Sequence, residues 1–120
     1  MTQSAIPSSD PLRITVDHSG PDAIVRPIGQ INVHSSPDLR DSLQAILSTE
    51  PLPHSVTVDL AGVPYIETSG IATLIEALRI ARHHQIGFCL QGLDGSVRKL
   101  FEVTGVLTLF DRGGRGEKAS

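Results

Sequence analysis

Aromatic residues make up 3% of the 120-residue sequence: three Phe, one Tyr and no Trp. Four rings are too few for the stacking platforms that hold single-stranded nucleic acid, and the apolar patterns around Phe101 and Phe110 assign those two to a core. Basic residues are not in excess either. Ten Lys and Arg against 13 Asp and Glu give a net charge of −3, so no general pull toward phosphate backbones or anionic lipid is expected. The single cysteine, Cys89, excludes an internal disulfide. Its neighbours Gly87, Phe88 and Leu90 form a strand-like apolar run, which predicts a buried, inert thiol. No run approaches the ~20 apolar residues of a membrane span, and Met1–Asp10 has neither the basic start nor the apolar stretch of a secretory leader. The expectation is a cytoplasmic protein with no membrane span and no direct contact with nucleic acid.

What is present is aliphatic. Hydrophobic residues reach 39% and charged residues 19%, ordinary for a globular chain, and Ile, Leu, Val and Ala supply most of the apolar mass. This length suits one domain that needs no metal or disulfide staple. Residues 1–10, rich in Ser and Pro, and the polar, Gly-rich residues 112–120 are predicted to be flexible tails. They flank a single domain over 11–111.

Leu12–Asp17 alternates apolar and polar residues, which predicts a half-buried strand. A turn at His18–Asp22 leads to a second strand, Ala23–Ile28, hairpin-paired with the first; Pro27, with no N–H to donate, implies a bulge or an unpaired side there. Ser35 or Ser36 before Pro37 marks a helix start with a hydroxyl N-cap. Leu39, Leu43, Ile46 and Leu47 give that helix its apolar face, and Pro51 and Pro53 end it. Val56–Leu60 reads as a central strand. A second helix carries Ile71, Leu74, Ile75 and Leu78 to about His84, and Ile86–Gln91 is the next strand. Asp94 caps a third helix bearing Val97, Leu100 and Phe101, terminated at Gly105. Leu107–Phe110 completes the pattern as a short closing strand. The order β-β-α-β-α-β-α-β predicts an α/β fold: a mixed sheet of four to five strands with three main helices packed on it.

Enzyme and metal signatures are missing. There is no phosphate-binding Gly-Lys loop and no Gly-x-Gly-x-x-Gly turn between strand and helix. Ser69 has Glu67 where a nucleophile elbow needs Gly. Among His18, His34, His54, His83 and His84 no pair has chelating i,i+4 spacing, and adjacent His83 and His84 at a helix end suit the macrodipole on a solvated surface. The chain is therefore expected to be neither an enzyme nor a holder of metal or cofactor.

The one dense feature is Tyr65-Ile66-Glu67-Thr68-Ser69-Gly70-Ile71, two hydroxyls at a predicted helix start after a carboxylate. One reading is purely local: Thr68 or Ser69 caps the helix and Gly70 permits close packing. The other is a phosphorylation site. A phosphate adds roughly −1.5 to −2 charges beside a helix end that tolerates them, while a partner docked over that surface meets a new dianion.

Three ordered segments resemble the STAS domains of bacterial anti-sigma factor antagonists. Gly29–Arg40, with Gly29, Asn32, Leu39 and Arg40, is similar to that family's Gly-x-Leu-Asp…Leu-Arg segment. Val56–Ile71 resembles its signature strand, loop and helix, and Val97–Val106 its third helix and closing Gly. The likeness spans about Leu12 to Phe110. It implies a non-enzymatic switch, monomeric or weakly dimeric, that binds an anti-sigma factor of the ATP-binding kinase type. That kinase phosphorylates the hydroxyl directly after the motif's acidic residue, here Thr68, with Ser69 as second candidate and more natural cap; a phosphatase resets it. The partner-binding positions implied are Asn32, His34, Asp59, Tyr65, Glu67, Thr68, Ser69, Gly70 and Ile71. Two depart from the family pattern, with Glu67 and Asn32 each standing where Asp is usual. The alternative implied by the same likeness is a STAS subunit of a larger lipid-transport or signalling assembly, never phosphorylated.

Overall fold

Alternation in the first thirty residues does produce the expected hairpin. In the computed structural model, which describes residues 11–110, β1 spans Arg13–Ser19 and β2 spans Asp22–Ile28. They pair antiparallel from Arg13 opposite Ile28 to Ser19 opposite Asp22. β3 (Ser55–Asp59) and β4 (Gly87–Gln91) follow in parallel, giving one four-stranded mixed sheet in the order β1-β2-β3-β4. The ladder between β2 and β3 stops at Val25 opposite Val58, so Pro27 lies beyond it and its missing N–H costs that ladder nothing.

The crossovers are helical: α1 (Ser36–Ser48) joins β2 to β3 and α2 (Thr68–His83) joins β3 to β4, with α3 (Gly95–Val103) after the last strand. The expected apolar faces are the buried ones. Leu39, Leu43 and Leu47 of α1 and Leu74, Leu78 and Ala81 of α2 share one core with Ala23, Val25, Val56, Val58 and Phe88 of the sheet. On the strands these buried positions alternate with half-buried ones such as Ile24, Arg26, Thr57 and Cys89, the period of a sheet covered on one side.

Several sequence-based expectations need correction. Leu107–Phe110 is a helical turn, not a fifth strand. Phe110 is buried against Phe88 and Phe101, with ring centroids 6.2 and 6.1 Å away, and such close aromatic packing outweighs the strand preference of a four-residue run. Cys89 is half-buried, its Sγ 3.4 Å from Thr57 Oγ1. Ser35 is the N-cap residue of α1, but its hydroxyl makes no cap bond. Asp94 does cap α3, accepting from the Gly95 N–H at 2.8 Å, and Gly105 ends that helix region with φ +74°. The expected tails at 1–10 and 112–120 lie outside the described residues.

The end of α2 carries one strained position. Gln85 has φ 60°, where the chain reverses so that the Ile86 N–H reaches the Ala81 carbonyl at 2.8 Å. A side chain in the left-handed region costs ~1–2 kcal/mol that glycine avoids. Gln85→Gly is therefore expected to stabilise the domain by about 0.5–1 kcal/mol, read as a higher midpoint in urea unfolding with an unchanged slope.

Candidate functional site

The site begins where β2 and β3 run out at the same end of the sheet. A single parallel bridge, Ile31 to Ile66, links the loops that follow them. The Ile31 N–H donates to the Tyr65 carbonyl at 3.0 Å, and the Glu67 N–H donates to the Ile31 carbonyl at 2.8 Å. Both isoleucines are fully buried. This short splice draws Asn32 and His34 to the start of α2.

On one side of the splice the backbone is locked by Asn32. Its Oδ1 accepts from the His34 N–H at 2.9 Å and from the Ser35 N–H at 3.0 Å, while Ser35 Oγ accepts from the Asn32 N–H and donates to the Gln30 carbonyl. An amide oxygen suffices for this turn, so Asn32 in place of Asp keeps the geometry and removes a charge. His34 and Val33 remain exposed.

On the other side α2 starts without a side-chain cap. Glu67 occupies the N-cap position and makes no cap bond, which corrects the expectation that Ser69 or Thr68 caps the helix. Thr68 and Ser69 are the first two helical residues, and their N–H groups have no acceptor within the helix. The two hydroxyls differ sharply. Thr68 is exposed, whereas Ser69 Oγ is buried and has no hydrogen-bond partner. Gly70 behind them is dictated by space: a Cβ there would lie 2.5 Å from Ile31 Cγ2 and 2.7 Å from Ile66 Cγ1. Ile71 is buried against the core.

Tyr65 is 46% exposed and forms, with Ile66, Glu67 and Thr68, one wall of a cavity of about 420 Å³. The other wall is Ser96 and Leu100 of α3, two residues that sequence reasoning missed. No local pattern marks them; α3 is brought there by tertiary contact, with Ser96 Oγ donating to the Pro64 carbonyl at 3.3 Å. Asp59 is engaged elsewhere. Its carboxylate accepts from the Ala61 N–H at 3.0 Å and from Gln91 Nε2 at 3.2 Å, with Arg26 Nε 3.6 Å away. Arg26 also pairs with Asp17. Asp59 thus anchors the start of the loop that leads to Thr68. Among the described residues no three His, Cys, Asp or Glu side chains gather as metal ligands would, and no helix is long and apolar enough to cross a membrane.

The model of the STAS domain matches residues 13–115. The chain belongs to the STAS domain family. Within it, the chain is 25% identical over 83 residues to an anti-sigma-B factor antagonist of Listeria monocytogenes, an alignment covering 69% of this chain and 71% of that one. Among solved structures, an anti-sigma factor antagonist from Mycobacterium paratuberculosis superposes with a TM-score of 0.72 at 19% identity, over 89% of this STAS domain chain and 87% of that protein. The phosphorylated form of the Bacillus cell fate determinant SpoIIAA matches with a TM-score of 0.65 at 13% identity, over 82% and 87% of the two chains. At these identities the structural likenesses speak to the STAS fold alone.

Proposed function

We propose that this STAS domain is an anti-sigma factor antagonist whose binding to an anti-sigma factor of the protein-kinase type is ended by phosphorylation of Thr68. The observation that carries the reading is the contrast between the two hydroxyls: Thr68 is exposed at the first position of an uncapped helix, and Ser69 Oγ is buried. A kinase needs an acceptor hydroxyl that can enter its active site. A phosphate on Thr68 would lie beside the free N–H groups of Thr68 and Ser69, at the positive end of α2, so the fold tolerates it. The names of the curated relatives point to the same role.

The docking surface in this reading comprises Asn32, His34, Tyr65, Glu67 and Thr68, with Ser69, Gly70 and the buried Ile71 setting the helix start beneath it. Asp59 supports that surface through the Ala61 backbone. The protein acts by occupancy and needs no chemistry of its own; the kinase supplies ATP and a phosphatase restores the free hydroxyl. The test is a binding titration of unmodified and Thr68-phosphorylated protein against the cognate anti-sigma factor. The expected result is a stable complex with the first and at least a tenfold weaker one with the second, about 1.4 kcal/mol or more. Equal affinities, or co-purification with a transporter ATPase and no phosphate on Thr68, would replace it with the scaffold-subunit reading.

A further inference from the structure

The largest cleft among the described pockets, about 710 Å³, lies at the end of the sheet away from Thr68. It opens where the β1–β2 turn faces the last turn of α1 and the segment leading into β3. Its size falls in the range of small-molecule sites, roughly 300–1,000 Å³. Ala45, Ile46 and Leu52 supply an apolar floor, and Pro21, Pro51 and Pro53 supply the walls. Proline fixes its own backbone, and the His54 N–H ties one wall to the other by donating to the Pro21 carbonyl at 2.8 Å. The cleft is therefore largely set in shape before anything binds, which lowers the ordering cost of binding.

Apart from His18 and His54, the one ionisable side chain lining it is acidic. Glu50 lines the cleft; among the described residues it pairs with no Lys or Arg, and no Lys or Arg lines the cleft with it. The C-terminal end of α1 also points here, and its last turn carries no basic residue. A helix C-terminus holds the equivalent of about −0.5 charge, favouring a cation by roughly 0.3–1 kcal/mol. The hydroxyls of Ser48 and Thr49 bond back to the Gln44 and Ala45 carbonyls, both at 2.6 Å, and bring no positive charge. His18 and His54 also line the cleft, and an imidazole ring presents a flat, partly apolar body.

We propose that this cleft binds a small organic cation: a hydrocarbon or aromatic body seated on Ile46, Leu52 and the prolines, with an ammonium group held by Glu50 and the end of α1. The site shares no residue with the surface around Thr68, and its existence does not depend on the antagonist reading.

The experiment is an amide NMR titration of the full chain at pH 7.5 with 2-phenylethylammonium, against 3-phenylpropionate as the charge-reversed probe. The ammonium probe is expected to give saturating shifts at Ala45, Ile46, Thr49, Leu52 and His54 in the millimolar range. The carboxylate should bind at least tenfold more weakly, and Glu50→Gln, checked as folded by its own spectrum, should weaken the ammonium at least threefold. Shifts that do not saturate, equal binding of the two probes, shifts confined to the Thr68 end, or an unchanged affinity in Glu50→Gln would each overturn the assignment.

Discussion

Gly70→Ala is expected to destabilise the domain by about 2 kcal/mol, despite replacing glycine with the best helix former. In an open helix that exchange stabilises by up to about 1 kcal/mol. Here the new methyl would sit 2.5 Å from Ile31 Cγ2 and 2.7 Å from Ile66 Cγ1. Neither atom can yield cheaply. Both belong to β-branched side chains that are 0% and 2% exposed, and both residues form the bridge joining the two loops. The helix start must move or the splice must open. Overpacking of this kind costs roughly 1–3 kcal/mol, and a loss near 2 kcal/mol lowers the melting temperature of a domain this size by about 8–16 °C. Thermal unfolding by circular dichroism checks it. A melting temperature unchanged or raised would show that the close approach at Gly70 does not constrain the site.

Thr68→Asp is expected to move stability and binding in opposite directions. A carboxylate at the first position of α2 meets the positive helix end and the free N–H groups of residues 68 and 69, worth about 0.3–1 kcal/mol of added stability. The same charge, placed on an exposed residue between Tyr65, Glu67 and the α3 wall, must be desolvated when a partner covers it. Affinity for the anti-sigma factor should fall at least tenfold, with the melting temperature level or slightly higher; Thr68→Ala should bind like the parent protein. Ser69→Ala provides the contrast. Removing a buried hydroxyl that has no partner relieves an unmet hydrogen bond, so it should be neutral or mildly stabilising and leave binding unchanged. A variant that weakened binding only by unfolding the chain would fail the stability half of this prediction.

Much of this architecture could be read from residue order because the decisive patterns are local. Leu39, Leu43 and Leu47 recur at helical spacing and are all buried, and Val56 and Val58 alternate with half-buried neighbours as a one-sided sheet requires. The failures share a cause, since each depends on residues distant in sequence. Leu107–Phe110 offers a strand-like run, yet Phe110 is held as part of a helical turn by Phe88 and Phe101. Ser69 has the composition of a cap, but Glu67 takes the N-cap position because its N–H is bound to the Ile31 carbonyl. That splice turns the Ser69 hydroxyl inward and leaves Thr68 outside. Likewise Asp59 reads as one more acidic group near the motif until Arg26, Gln91 and the Ala61 N–H account for its oxygens. Ser96 and Leu100 carry no local signal of a site, Leu100 reading only as part of the apolar face of α3, and the packing of α3 against the Thr68 loop brings them to the cavity.

Peptide mapping tests the proposed switch at Thr68 most directly. The full chain, incubated with ATP and its cognate anti-sigma kinase, is digested and each phosphopeptide is sequenced by mass spectrometry. The prediction is a single phosphate, on Thr68, with none on Ser69 and none on Thr68→Ala. Phosphate on Ser69, or a kinase complex that forms tightly and never modifies Thr68, would contradict it.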